Sequence, residues 1–461
     1  MMRSWLQRTT VLVALVAAVG AHAASRVYSG EAASGAWYQF EVPDGWRAGD
    51  TLVLYQHGFD LKPPANAPGL GPLRRVMLAE GYAVAATSYR QRGWALFTAI
   101  EDNRELVRLF AAQVGEPGEI IPYGGSMGGL VTLRLAETRG LPPMRGAYAL
   151  CPAAAGSRLW DSAIDLRLAY DVVCRDAGDL PQGDEPLPWA VDLADIPDDI
   201  GDIADDASVL RALVAVNRCT GVSLPPYLRN DAMQRRLDEL MAFTHITDEH
   251  FFVTNIGYAT YVLADIVRAP DKLGGRNPFT TAGVDYSSDP LVDAGIERLV
   301  ADPAAALALR RASDFRGDTG AVKVISMHTS RDQLVVPGNQ DVVRERIAPD
   351  KRVVAIVDED VPSHCGFSDA EGVAGWEALR TWIGGAPQPQ VADLQQQCET
   401  LVAGDLADGP CRFDPGADVV PFDAIVRPRP AQAAAAPPAH SSHERRPSPA
   451  AATRRIRANE R

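Results

Sequence analysis

At 461 residues, with 46% apolar and 23% charged side chains, the chain has ample material for a buried core and is not a disordered polymer. The net charge of −14 is uneven: Arg3 and Arg8 give +2 at the start, and eight arginines against Glu444 and Glu460 give +6 from Arg427 onward, leaving about −22 for the body between them. So acidic a body excludes nucleic acid as a partner, because phosphate binding needs basic surface.

The first residues read as a signal peptide. Arg3 and Arg8 form a basic start, residues 11–21 an apolar run, and Ala21-His22-Ala23 a small-residue site that predicts cleavage after Ala23. The run is too short to span a bilayer, and no later segment is longer, so stable membrane insertion is not expected. The expected location is secreted or periplasmic. Export permits disulfides, and six cysteines follow: Cys151, Cys174, Cys219, Cys365, Cys398 and Cys411. Their pairing is not fixed by sequence, with Cys398 and Cys411 the most local choice. None has the spacing of a metal site, and the Asp-rich stretch 176–206 lacks that of a calcium loop, so no metal is expected.

Two strands are predicted around Val27 and Trp37 to Phe40. Residues 51–56 (TLVLYQ) form a short apolar run of the buried-strand type, ending at His57-Gly58-Phe59. A helical stretch at 73–80, a strand at 82–87 and a helix at 101–112 follow. A further strand at 119–123 runs into Gly124-Gly125-Ser126-Met127-Gly128-Gly129 and a helix through Leu130, Leu133 and Leu135. Strands at 146–150, 322–327 and 352–357 complete the set. Apolar strands alternating with amphipathic helices predict an α/β class protein, with a mostly parallel sheet covered by helices on both faces.

That rhythm stops between Pro152 and about Phe315, a stretch too long for a connection. The expected organisation is a signal peptide at 1–23, core at 24–151, an inserted and mainly helical cap at 152–318, core again at 319–384, an extension at 385–426 with a strand near 419–426, and a disordered tail at 427–461, where Pro, Ala, Ser and Arg dominate.

Gly124 to Gly128 matches the G-x-S-x-G nucleophile elbow. The pattern alone is weak in a chain with 39 glycines, but here it lies between a predicted strand and a predicted helix, where an elbow has to be. A serine hydroxyl needs an adjacent base, itself oriented by a carboxylate. His364 lies just past the last predicted strand and Asp332 just past the one before it, so Ser126, Asp332 and His364 form the candidate catalytic triad. Competing histidines are His245 and His250 in the cap and His440 and His443 in the tail; competing acids are Asp358 and Asp360. His328 is expected to pack near the acid loop. The backbone N–H groups of Phe59 and Met127 are the candidate oxyanion hole, with His57 holding its loop.

Tyr55 to Phe59, Gly124 to Gly129, Asp332 to Pro337 and His364 together resemble the α/β-hydrolase superfamily, in its esterase and prolyl-oligopeptidase-like branches. The resemblance spans 50–150 and 320–384. It implies an α/β-hydrolase fold and a serine hydrolase that needs no cofactor. Carboxylic esters, small or oligomeric, are the expected substrates, because the elbow and cap suit a half-buried apolar acyl pocket and the sequence shows no anchor for a peptide amine. A serine peptidase is the alternative, and a catalytically inactive binding protein the next. The pair His364-Cys365 resembles that of tannases and feruloyl esterases, in which the cysteine bridges to one beside the serine. Here Gly125 stands beside Ser126, so Cys365 is expected to pair with a cap or C-terminal cysteine, or to stay free.

Overall fold

The computed structural model describes residues 24–180, 189–200 and 206–430. The signal peptide and most of the expected tail lie outside these residues.

The apolar runs become an eight-stranded sheet: β1 (Ser25–Glu31), β2 (Trp37–Pro43), β3 (Thr51–Gln56), β4 (Ala83–Thr87), β5 (Glu119–Gly125), β6 (Gly146–Leu150), β7 (Lys323–Thr329) and β8 (Arg352–Val357). Their order is β1-β2-β4-β3-β5-β6-β7-β8. The first two strands pair antiparallel, and everything from β4 to β8 is parallel. Strands β4 and β6 are buried along their whole length, which explains why they read as continuous apolar runs rather than alternating ones.

Helices α1 (Arg74–Ala79), α2 (Ala99–Gln113) and α3 (Met127–Ala136) connect the early strands. Between β6 and β7 the chain builds α4 (Leu159–Val173), α5 (Ala207–Thr220), α6 (Asp231–Thr244), α7 (Glu249–Gly257), α8 (Leu263–Arg268), α9 (Pro290–Gly295) and α10 (Pro303–Ser313). Asp206, Asn230, Asp248, Asp289 and Asp302 cap five of these helices with side-chain hydrogen bonds to first-turn N–H groups, so part of the acid in this region has a local structural use. One continuous hydrophobic cluster joins Met127 and Leu130 of the core to Trp160, Phe252 and Val262 of the insertion. The cap is therefore welded to the sheet rather than hung on it.

Past α11 (Asn339–Arg346) and α12 (Asp369–Ile383) comes α13 (Val391–Ala403), packed on α12 and tied to the following loop by the Cys398–Cys411 disulfide, the local pairing expected. The strand expected near 419–426 is absent. Pro421 opens a single 3-10 turn, Phe422–Ala424, whose buried Phe422 lies against α11, and the open edge of β8 is met instead by a bridge from Val357 to Phe413. Nor is the start of the expected tail free. Arg429 is 10% exposed at its side chain and donates to both carboxylate oxygens of Asp165 at 2.8 and 3.1 Å and to the Asp161 carbonyl at 2.8 Å, while the Arg427 guanidinium sits 3.9 Å from the Phe243 ring centre. Two buried carboxylates on α4 need a cation, and the chain just beyond the extension supplies it.

Candidate active site

Parallel strands all end at the same rim, and the three loops singled out in the sequence leave that rim side by side. Ser126 sits at the turn from β5 to α3 with φ 59° and ψ −126°, a conformation that L-residues rarely adopt. The neighbouring glycines permit it. A methyl group at Gly124 or at Gly128 would strike the Gln56 carbonyl oxygen, because β3 and its loop pass directly over the elbow. Ser126 N–H donates to the Leu150 carbonyl at 3.0 Å, so the strained turn is pinned to the end of β6.

His364 Nε2 lies 2.9 Å from Ser126 Oγ, and its Nδ1 lies 2.7 Å from Asp332 Oδ2. The other oxygen of Asp332 accepts the N–H groups of Leu334 and Val335, each at 3.0 Å. Burial by itself would raise the Asp332 carboxyl, but hydrogen bonds from His328 and His364 outweigh it and hold the group well below the usual carboxylate range. This is an ionised acid aimed at an imidazole, which in turn faces a hydroxyl. The rivals are elsewhere: Asp358 accepts from Ser330 at the exposed rim, the Asp360 carbonyl accepts from Arg331, and His245 and His250 are exposed on the cap. His440 and His443 lie outside the described residues. His328 is fully buried, with Nε2 donating to the Val335 carbonyl at 2.6 Å and the Gln340 amide 3.3 Å from Nδ1, so it braces the acid loop as expected.

Strand order and elbow together decide the architecture: Ser126 stands on the central parallel strand's turn, and its partners follow in the order Ser, Asp, His. The chain has the fold of the α/β-hydrolases. No protein-family model matches the sequence, and no curated protein does. Among solved structures it is similar to dipeptidyl peptidase 4 of Porphyromonas gingivalis, at 11% identity over 79% of this chain and 36% of that one, with a TM-score of 0.38. It is also similar to an esterase of Pyrococcus furiosus, at 13% identity over 78% of this chain and 89% of that one, with a TM-score of 0.34. The rice cell wall degrading esterase LipA of Xanthomonas oryzae gives 12% identity over 78% and 87%, with a TM-score of 0.36. The chain thus spans about a third of the peptidase's length and most of the length of the two esterases. At such identities and scores these likenesses carry no weight of their own beside the strand order and the elbow.

The two oxyanion candidates also meet here. Gly58 lies over the elbow, with a Cβ at that position only 3.7 Å from Ser126 Cβ, and the next residue is Phe59. Phe59, Ser126 and Met127 line one narrow crevice, and the N–H groups of Phe59 and Met127 have no acceptor among the described residues. Met127 is the first residue of α3, where N–H groups and the helix dipole favour negative charge. His57 braces this loop: Nδ1 donates to the Gly58 carbonyl at 2.7 Å, its ring packs on Tyr89, and burial lowers its pKa.

Three elements of the site were not read from the sequence. Cys365 is bonded to Cys151 at the end of β6, not to a cap or C-terminal cysteine, and it is not free. The bridge therefore reaches the strand beside the elbow instead of the residue beside the serine. Arg412, in the extension, donates to the Gly366 carbonyl at 2.8 Å and pairs with the fully buried Glu371, holding the far side of the histidine loop. Glu359, also buried, hydrogen-bonds Ser363 in the same loop. Cys365 Sγ itself packs 3.6 and 3.8 Å from the two ring nitrogens of His364.

Proposed function

We propose that this protein is an exported serine hydrolase that cleaves carboxylic esters through an acyl-enzyme on Ser126. The observation that carries the reading is the continuous relay of 2.7 and 2.9 Å from Asp332 through His364 to Ser126. His364 Nε2 takes the Ser126 proton as Oγ bonds to the ester carbonyl carbon, and the resulting oxyanion is held by the N–H groups of Phe59 and Met127. The imidazolium then gives its proton to the departing alkoxide. Water, deprotonated by the same imidazole, releases the carboxylic acid and restores the hydroxyl. No cofactor enters these steps. Export is supported by three disulfides that use all six cysteines, since such bridges persist in oxidising compartments. Among the described residues no helix is long and apolar enough to cross a membrane.

A fluorophosphonate probe is expected to label the protein at one site and to leave the Ser126→Ala variant unlabelled. p-Nitrophenyl acyl esters are expected to be turned over far faster than aminoacyl or prolyl anilides. A folded wild-type protein that takes no label removes the hydrolase reading, and a preference for anilides replaces esterase by peptidase.

Acidification should suppress turnover, because only a neutral imidazole accepts the serine proton. Asp332 is held well below the usual carboxylate range and keeps its charge, so one proton on the base accounts for the loss and the acid limb of log kcat/KM has unit slope. A rate that stays flat down to about pH 4 removes His364 as the base.

A further inference from the structure

Helix α4 turns two unlike faces to its surroundings. Leu159, Trp160, Ser162 and Ala163 border the crevice that holds Ser126. Asp161 stands two residues from both Leu159 and Ala163, which at about 100° per residue puts it on the opposite side of the helix, and Asp165 follows one turn later. Both acids are buried, at 8% and 2% exposure. Carboxylates in such a place keep their charge only against a cation.

The cation comes from a segment 264 residues further along the chain than Asp165. Phe422 N–H donates to Asp341 of α11 at 3.2 Å, and Asp423 pairs at 2.6 Å with Arg158, the residue before α4. Arg427 then lies over the Phe243 ring of α6, and Arg429 closes on α4. Its guanidinium is 3.2 Å from Asp161 Oδ1 and donates to the two oxygens of Asp165 at 2.8 and 3.1 Å, with Tyr286 donating to Asp165 Oδ1 at 2.6 Å. Without Arg429, Asp165 has no cation within salt-bridge distance among the described residues, and Asp161 keeps only Arg158 at 3.6 Å.

We infer that Arg429 is a positioning residue of the reaction: by pairing both carboxylates of α4, it holds the opposite face of that helix in place as the wall of the Ser126 crevice. The inference rests on the ester hydrolase reading and adds to it a distant residue on which substrate binding depends. Two uncompensated carboxylates draw in water, so α4 gives way and carries Leu159 and Trp160 off the substrate. Asp332, His364 and Ser126 lie on other elements and keep their relay. Arg429→Ala should therefore raise KM for p-nitrophenyl butyrate about tenfold, leave kcat within about twofold, and leave the acid limb of the rate where it was. Added methylguanidinium, which fits the space left by the shortened side chain, should bring KM back. Arg429→Lys, which keeps the charge but not the planar fork, should fall between the two.

A folded Arg429→Ala protein with a lowered Tm and an unchanged KM makes the arginine merely structural and overturns the inference. So does a raised KM that methylguanidinium fails to lower, or a loss confined to kcat with a shifted acid limb, which would place the effect on the relay. Should Arg429→Ala not fold, Arg429→Lys decides, and a wild-type KM in that variant overturns the inference. Hydrogen exchange gives a readout independent of turnover. Amides of residues 159–173 should exchange at least about tenfold faster in Arg429→Ala than in wild type, while those of 119–136, spanning β5, the elbow and α3, keep their rates. If wild-type protein neither takes the fluorophosphonate nor hydrolyses the ester, the hydrolase reading fails while faster exchange still establishes the hold of Arg429 on α4. Equal exchange in 159–173 removes that hold whatever the serine does.

Discussion

Replacing Asp332 by asparagine is expected to lower kcat by about 10⁴ while leaving the fold intact. The size of the effect follows from what each oxygen of the carboxylate does. Oδ1 accepts two backbone N–H groups, from Leu334 and Val335, and an asparagine keeps its carbonyl oxygen on that side because an amide NH₂ there would face two donors. The NH₂ is then turned toward His364 Nδ1, 2.7 Å away from the present Oδ2. That nitrogen can meet a donor only without its own proton, so the proton moves to Nε2 and points at Ser126 Oγ. The imidazole becomes a donor where a base is needed. Steady-state kinetics on an acyl ester, beside a melting curve, tests this. A folded Asp332→Asn enzyme within about tenfold of wild type would falsify Asp332 as the group that sets the imidazole tautomer.

The second large effect concerns Cys151 and Cys365. Their bridge joins positions 214 residues apart, and closing a loop of that size removes enough freedom from the unfolded chain to contribute about 5 kcal/mol in the chain-entropy account. Spread over the unfolding entropy of a body of this length, that corresponds to a fall in Tm of roughly 6 °C for Cys151→Ala/Cys365→Ala. Both residues also sit at positive φ, 36° and 57°, a backbone state that ordinary residues avoid and that the covalent bond helps to hold. Because Cys365 Sγ packs on the His364 ring, kcat should fall as well, by roughly ten- to a hundredfold, the scale of a small misplacement of a reacting group. Calorimetry and kinetics on the double variant read the two effects separately. A lowered Tm with unchanged kcat would show that the bridge staples the body without steering the histidine.

Much of the core was legible because its signals are local. Each buried strand is a short apolar run, and β3 and β8 begin and end where those runs do. Ser126, Asp332 and His364 could be brought together from the sequence because each follows a strand of one parallel sheet, and parallel strands share a rim. What failed was non-local. With Gly125 beside Ser126, Cys365 is expected to pair in the cap or the C-terminal extension or to stay free, yet its partner stands on the next strand across, where Gly125 pairs with Leu150 and Cys151 follows. Residues that are neighbours across a sheet but distant along the chain are invisible to a scan for adjacent cysteines. The end of the chain failed for the same reason. Composition from Arg427 onward reads as solvated, but Arg429 answers two carboxylates on α4, 264 residues earlier in the case of Asp165.

The three disulfides differ in what they span. Cys174 with Cys219 closes a loop inside the cap and Cys398 with Cys411 one inside the extension, whereas Cys151 with Cys365 ties the strand before the cap to the histidine loop after it. A protease that cuts the backbone anywhere between those two cysteines therefore yields one covalent molecule, not two, and the fragment bearing the nucleophile stays leashed to the fragment bearing its base. Clipping and inactivation thus become separate events.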